Sequence, residues 1–130
     1  MLIVEDSGPC AATLEIALLD VADLGVVVVR SAEEALRLME KDVDRTICAL
    51  VTDVRLPRMD GLELAERIRR LRPGARLPII VTTGESDPGL PDRARRAGAD
   101  ACFHKPYSPA VVRRILEEQL NANPSDEKND

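Results

Sequence analysis

Short apolar runs alternate along the chain with stretches whose apolar positions recur at helical spacing. Leu2-Ile3-Val4 is a brief apolar strand ending in Glu5 and Asp6. Residues 8–23 place Leu14, Leu18 and Val21 on one face and predict a helix that Gly25 interrupts. The four valines 26–29 predict a strand buried on both faces. Ser31-Ala32-Glu33-Glu34 has the spacing of a capping box and opens a second helix to about residue 41. A third strand is expected over 47–52, with Asp53 at its end. Met59-Asp60-Gly61 then turns into a third helix over 62–71, closed by Pro73-Gly74. A fourth strand over 77–82 leads to Thr83 and Gly84. The loop GESDPGLPD precedes a short helix over 92–97, which Gly98 stops. Residues 101–104 form the last strand, and Ser108-Pro109 starts a final helix to about residue 120.

Five strands alternating with five helices predict an α/β fold: one five-stranded parallel sheet, helices on both faces, right-handed crossovers. With 130 residues and no internal repeat, the chain reads as one domain over 1–120 and a polar tail over 121–130. One Phe, one Tyr and no Trp leave an aliphatic core.

The net charge of −5 argues against a dedicated nucleic-acid binder, which carries a basic patch. No apolar run approaches the length of a membrane helix, and the acids at 5 and 6 break any secretory-signal pattern. Cys10, Cys48 and Cys102 are odd in number and lack metal-ligand spacing, which suits a reduced, cytoplasmic protein. The run Arg67, Arg69, Arg70, Arg72 and Arg76 reads as a solvated helix face.

In an open α/β sheet, functional groups gather at the carboxyl ends of the strands. Those ends supply Glu5, Asp6, Asp53, Thr83 and Lys105. Acids cap helices often, and Asp6 alone needs no other explanation. Jointly the set is harder to explain that way. Two carboxylates ~4 Å apart repel by ~4 kcal/mol at an effective dielectric of 20, so three of them need compensating cations. Lys105 supplies one, and an all-oxygen site suits Mg²⁺ for the rest. A carboxylate so held can attack phosphorus, with ammonium and metal neutralising the transferring group.

The segments LIVEDS, VTDVRLPRMDG, LPIIVTTG, RRAGAD and HKPY resemble, in order and spacing, the receiver domain of two-component response regulators over about residues 1–120. The resemblance implies the flavodoxin-like (βα)5 fold. It implies Asp53 as the phosphoacceptor, and Glu5 and Asp6 as the acidic pair holding Mg²⁺ with Asp53 and the backbone carbonyl of Arg55. It implies Thr83 as the switch hydroxyl, and Lys105 as the lysine that pairs first with Asp53 and then with the phosphoryl group. A cis Lys105-Pro106 peptide is expected with it. The implied phosphodonor is a histidine kinase or histidine phosphotransfer protein, docking on the first helix and the loop after Lys105, with Leu14, Pro106 and Tyr107 as candidates. The implied activity is self-modification rather than enzymatic turnover. Output would be a downstream protein target contacted through the fourth helix, last strand and last helix, or an effector domain absent from this chain. Nucleic acid and membrane are not expected partners, and the last helix leaves room for a homodimer.

One departure stands out. The family carries an aromatic residue three positions before the lysine, where this chain has Cys102. Phe103 is adjacent, but strand alternation points it to the opposite face. The coupling of Thr83 to a ring is therefore altered, and the loop after Thr83 becomes the expected route to the surface. His104, by the same alternation, faces away from the site. Arg55 and Glu85 flank the phosphoryl position, and an Arg–Glu pair there would slow self-dephosphorylation relative to Arg55→Ala. Two other readings compete. A degenerate receiver that only binds partners accommodates Cys102. A Mg²⁺-dependent aspartyl-phosphate phosphohydrolase resembling the haloacid dehalogenases shares the Asp, Thr and Lys but expects a second Asp where Arg55 stands.

Overall fold

The computed structural model describes residues 1–6, 8–18, 25–44, 46–73, 77–84 and 86–122. The elements are β1 (Leu2–Val4), α1 (Gly8–Leu18), β2 (Val27–Val29), α2 (Ala32–Lys41), β3 (Leu50–Asp53), α3 (Gly61–Leu71), β4 (Ile79–Thr83), α4 (Leu90–Arg96), β5 (Ala101–His104) and α5 (Pro109–Ala122). The strands form one sheet in the order β2-β1-β3-β4-β5, every neighbouring pair parallel. The order reverses between β1 and β3, and a crevice opens at the carboxyl ends of the strands at such a switch point.

Strand alternation divides the core into two layers. Leu2, Val4, Leu50, Ile79 and Val81 face α2, α3 and α4, meeting Met39, Leu64, Ile68 and Leu90. Ile3, Val51 and Ile80 face α1 and α5, meeting Leu14, Leu18, Val112 and Leu116. The side-chain period of two in each strand thus builds both layers from the same short segments. Ser31 caps α2, accepting from the Glu34 N–H at 3.2 Å, as the capping box predicts. Asp60 caps α3, accepting from the Glu63 N–H at 2.8 Å.

Several expectations change. The β2 valines are not buried on both faces: Val27 is 49% exposed, because β2 is an edge strand. The arginine run is not uniformly solvated. Arg72 is buried and pairs with Asp42 at 2.7 Å, and Arg69 donates to the carbonyls of Leu77 and Gly98. The third strand starts at Leu50 rather than 47, and α5 runs to Ala122, two residues into the expected tail. The expected extension of α1 through Val21 to residue 23, Arg76, and residues 123–130 of the tail lie outside the described residues.

Candidate functional site

Glu5 follows β1 directly. Its N–H donates to the Val29 carbonyl at 3.0 Å, so its backbone is held by the sheet, and the residue is buried. Asp6 is exposed beside it. Asp53 is the last residue of β3, on the strand next to β1, and is also buried. One carboxylate oxygen from each of the three lies within 4.8 Å of the others.

Lys105 enters from the loop after β5. Its N–H donates to the Thr83 carbonyl at 2.6 Å, and the Lys105-Pro106 peptide is cis, as the resemblance implies. Its Nζ donates to Glu5 Oε1 and to Asp53 Oδ2, both at 3.1 Å. Burial alone would lower the Lys105 pKa. The hydrogen bonds to Glu5 and Asp53 and their negative charges outweigh it and hold the ammonium above the usual lysine range. Among the described residues, the cluster thus sets three carboxylates around the Lys105 ammonium. Its donors are all hard oxygens with no thiolate or imidazole among them, a set that fits Mg²⁺.

Thr83 ends β4 and is buried beside the backbone that carries Lys105. Arg55 is exposed on the loop after β3. Its expected partner Glu85 lies outside the described residues, so that pairing does too. Gly61 has a role that sequence reading missed: a Cβ there would sit 2.1 Å from the Asp53 carbonyl oxygen. Its N–H donates to the Val54 carbonyl at 2.8 Å, so α3 begins in direct backbone contact with the end of β3. The only sequence signal was Gly following the Asp60 cap.

Cys102 and Phe103 point to opposite faces, as alternation predicts. Cys102 packs on the α4 side, and Phe103 packs with the α1–α5 layer, its ring centroid 6.4 Å from that of Tyr107. Phe103 is thus partly buried against the α1–α5 layer rather than fully in the core, and, as expected, it does not face the α4 side. On the α4 side lies a cleft of about 450 Å³ whose lining includes Thr83, Ser86, Leu90, Pro91, Cys102 and His104. Burial pushes the Cys102 thiol pKa up, so it remains protonated at neutral pH. His104 is exposed, sits opposite Thr83 in the strand register, and lines this cleft rather than joining the acid cluster.

A second groove, of about 550 Å³, includes Lys105 in its lining together with Pro9, Thr13, Pro106, Tyr107 and Pro109. Leu14 is not part of a docking surface. It is 2% exposed, because its helix face is the one packed on the sheet. Ile16 is 72% exposed on the same helix.

A family model described as the response regulator receiver domain matches residues 1–117. The chain is 30% identical over 120 residues to a chemotaxis protein CheY homolog of Campylobacter jejuni, covering 92% of this chain and 91% of that relative. Among solved structures it is similar to a CheY-like response regulator receiver domain protein from Methanospirillum hungatei. That match has a TM-score of 0.82 and 27% identity, covering 96% of this chain and 95% of the other. It is also similar to the receiver domain of a signal transduction histidine kinase from Syntrophus aciditrophicus. There the TM-score is 0.81 at 29% identity, with coverage of 99% and 95%. With the strand order, the acid cluster and the bridging lysine already in place, these matches show that the chain belongs to the response regulator receiver domain family.

Proposed function

We propose that this chain accepts a phosphoryl group on Asp53 from the phosphohistidine of a histidine kinase or phosphotransfer protein, and that phosphorylation switches a protein-binding surface. The observation that carries this reading is the convergence of Glu5, Asp6 and Asp53 with Lys105, whose ammonium bridges two of the three acids.

Glu5, Asp6, Asp53 and the Arg55 carbonyl would hold Mg²⁺. The bound ion would supply neutralisation of the phosphoryl oxygens. An Asp53 carboxylate oxygen attacks phosphorus, the phosphorus–nitrogen bond of the donor breaks, and the imidazole leaves with the bonding electrons. The product is an aspartyl phosphate. Lys105 exchanges its Asp53 contact for a phosphoryl oxygen, and the Thr83 hydroxyl donates a hydrogen bond to another. Water attacking phosphorus later breaks the same phosphorus–oxygen bond and returns the carboxylate and inorganic phosphate. The chain is the substrate of its own chemistry and turns over no separate metabolite.

The donor would dock on the groove beside Lys105, using Pro9, Thr13, Pro106 and Tyr107, with Ile16 extending the surface along α1. The downstream partner is a protein target or an effector domain joined to a receiver. A cytoplasmic setting suits the phosphodonor. Among the described residues no helix is long and apolar enough to cross a membrane.

The test is incubation with acetyl phosphate and Mg²⁺, followed by intact mass, alongside Asp53→Ala. The expected result is a gain of one phosphoryl group in the unmutated protein only. No gain, where a control receiver is modified, supports the degenerate binding module instead. Sustained release of phosphate from small phosphate esters supports the phosphohydrolase.

A further inference from the structure

The β3–α3 loop, residues 54–60, carries the Arg55 carbonyl and is fastened at one end by the Gly61 contact with β3. Its far side is fastened by a residue of another element. Glu33 lies in the first turn of α2, and its Oε2 accepts from the Met59 N–H at 3.3 Å. The same oxygen lies 3.6 Å from Nε of Arg58. Arg58 has φ 66°, a left-handed conformation that a residue with a side chain adopts only where surroundings hold it. Ser31 and Glu34 form the cap of α2, and the Glu33 carboxylate also meets its own backbone N–H in that first turn.

We propose that Glu33 is a positioning residue for the metal site: its carboxylate tethers the loop at Met59 and thereby holds the Arg55 carbonyl at the acid cluster. The inference rests on the Mg²⁺ reading above. It assigns to α2, which contributes no ligand of its own, control over the one ligand that comes from the backbone of a loop. The part that matters is an oxygen acceptor at Met59, so Gln can replace Glu and Ala cannot.

The experiment is calorimetric titration of Mg²⁺ into the full chain and its Glu33→Ala and Glu33→Gln variants, with amide exchange at Met59 followed by NMR. Loss of a supporting contact around a metal ligand weakens binding by about tenfold, which is the expected rise in Kd for Glu33→Ala. Glu33→Gln is expected to stay near the unmutated value. The Met59 amide is expected to be protected in the unmutated protein and to exchange faster in Glu33→Ala. An unchanged Kd in Glu33→Ala, or equal weakening in both variants, overturns the tether and leaves the function reading standing. An unprotected Met59 amide in the unmutated protein does the same, even if Glu33→Ala fails to fold. An unmutated protein that binds no Mg²⁺ overturns both.

Discussion

Lys105 is one of only 3 lysines in a chain with 15 arginines, and it occupies a position where a compact point charge sits between two carboxylates. Its partners Glu5 and Asp53 are buried, so removing the ammonium leaves two poorly solvated charges facing each other. Two effects of opposite sign follow. In Lys105→Ala, Mg²⁺ no longer competes with a fixed cation, and it is expected to bind more tightly by calorimetry. Phosphorylation by acetyl phosphate, followed by intact mass, is expected to slow about a hundredfold, because a donor aimed at developing negative charge is gone. A variant that merely misfolded would lose both. The pH dependence has a definite sign as well. The ammonium's pKa is raised above its ordinary 10.5, so its stabilising contribution is complete below that value and disappears only as pH climbs through the folded pKa. Lys105 therefore adds no inflection to a rate profile between pH 6 and 9. Asp53 and Lys105 were legible from sequence because strand ends can be located by pattern and converge by topology. Gly61 and Glu33 were not, since their contacts depend on backbone atoms that no composition or periodicity reveals.

At the scale of elements, α2 and α3 are joined through a buried ion pair at the exit of α2. Arg72, just beyond α3, donates to Asp42 Oδ2 at 2.7 Å and to the carbonyls of Ile47 and Asp42 at 3.0 and 3.1 Å. Asp42 also accepts from the Thr46 N–H and hydroxyl and from the Ile47 N–H, at 2.6–2.9 Å. Burial works to raise the Asp42 pKa, but the hydrogen bonds from Thr46, Arg72 and the Ile47 backbone bring it well below the ordinary 3.8. Breaking such a pair leaves a buried guanidinium uncompensated. Asp42→Asn is therefore expected to destabilise by about 3 kcal/mol at pH 7 in urea unfolding. A depressed carboxyl pKa contributes stability above the unfolded value and loses it as pH falls through the folded one. The difference between the two proteins is thus full above pH 3.8 and narrows in more acid solution. A pH-independent difference would assign the loss to packing instead. The five strands and five helices were legible because each has its own period and stop signal. The arginine clamp was not. A helix face rich in Arg reads the same whether it meets water or, as at Arg72, a carboxylate 30 residues earlier.

At the scale of the whole molecule, the sheet is a partition between two apolar layers, and Thr83 ends a strand next to the layer on the α4 side. Any movement of Thr83 toward the Asp53 site is felt first in the cleft it shares with Cys102, His104 and the approach to α4. A thiol sweeps little volume when it changes rotamer, whereas the aromatic ring implied by the family resemblance would sweep far more. Phosphorylation of this chain is therefore expected to move the α4 side through the backbone of residues 86–89 rather than through the Cys102 side chain. The cleft is large enough to take a ring, at about 450 Å³, and Cys102 is only half-buried, so Cys102→Tyr is expected to change stability by less than about 1 kcal/mol. Backbone NMR spectra of both proteins, with and without acetyl phosphate and Mg²⁺, check the route. In the unmutated protein, shifts on phosphorylation are expected to cluster at the acid site and residues 86–89. In Cys102→Tyr they are expected to spread along α4 and β5, because the ring now changes volume on one side of the partition when Thr83 moves. Equal spread in the two proteins would place the coupling wholly in the backbone, and the side chain at 102 would then have no part in the switch.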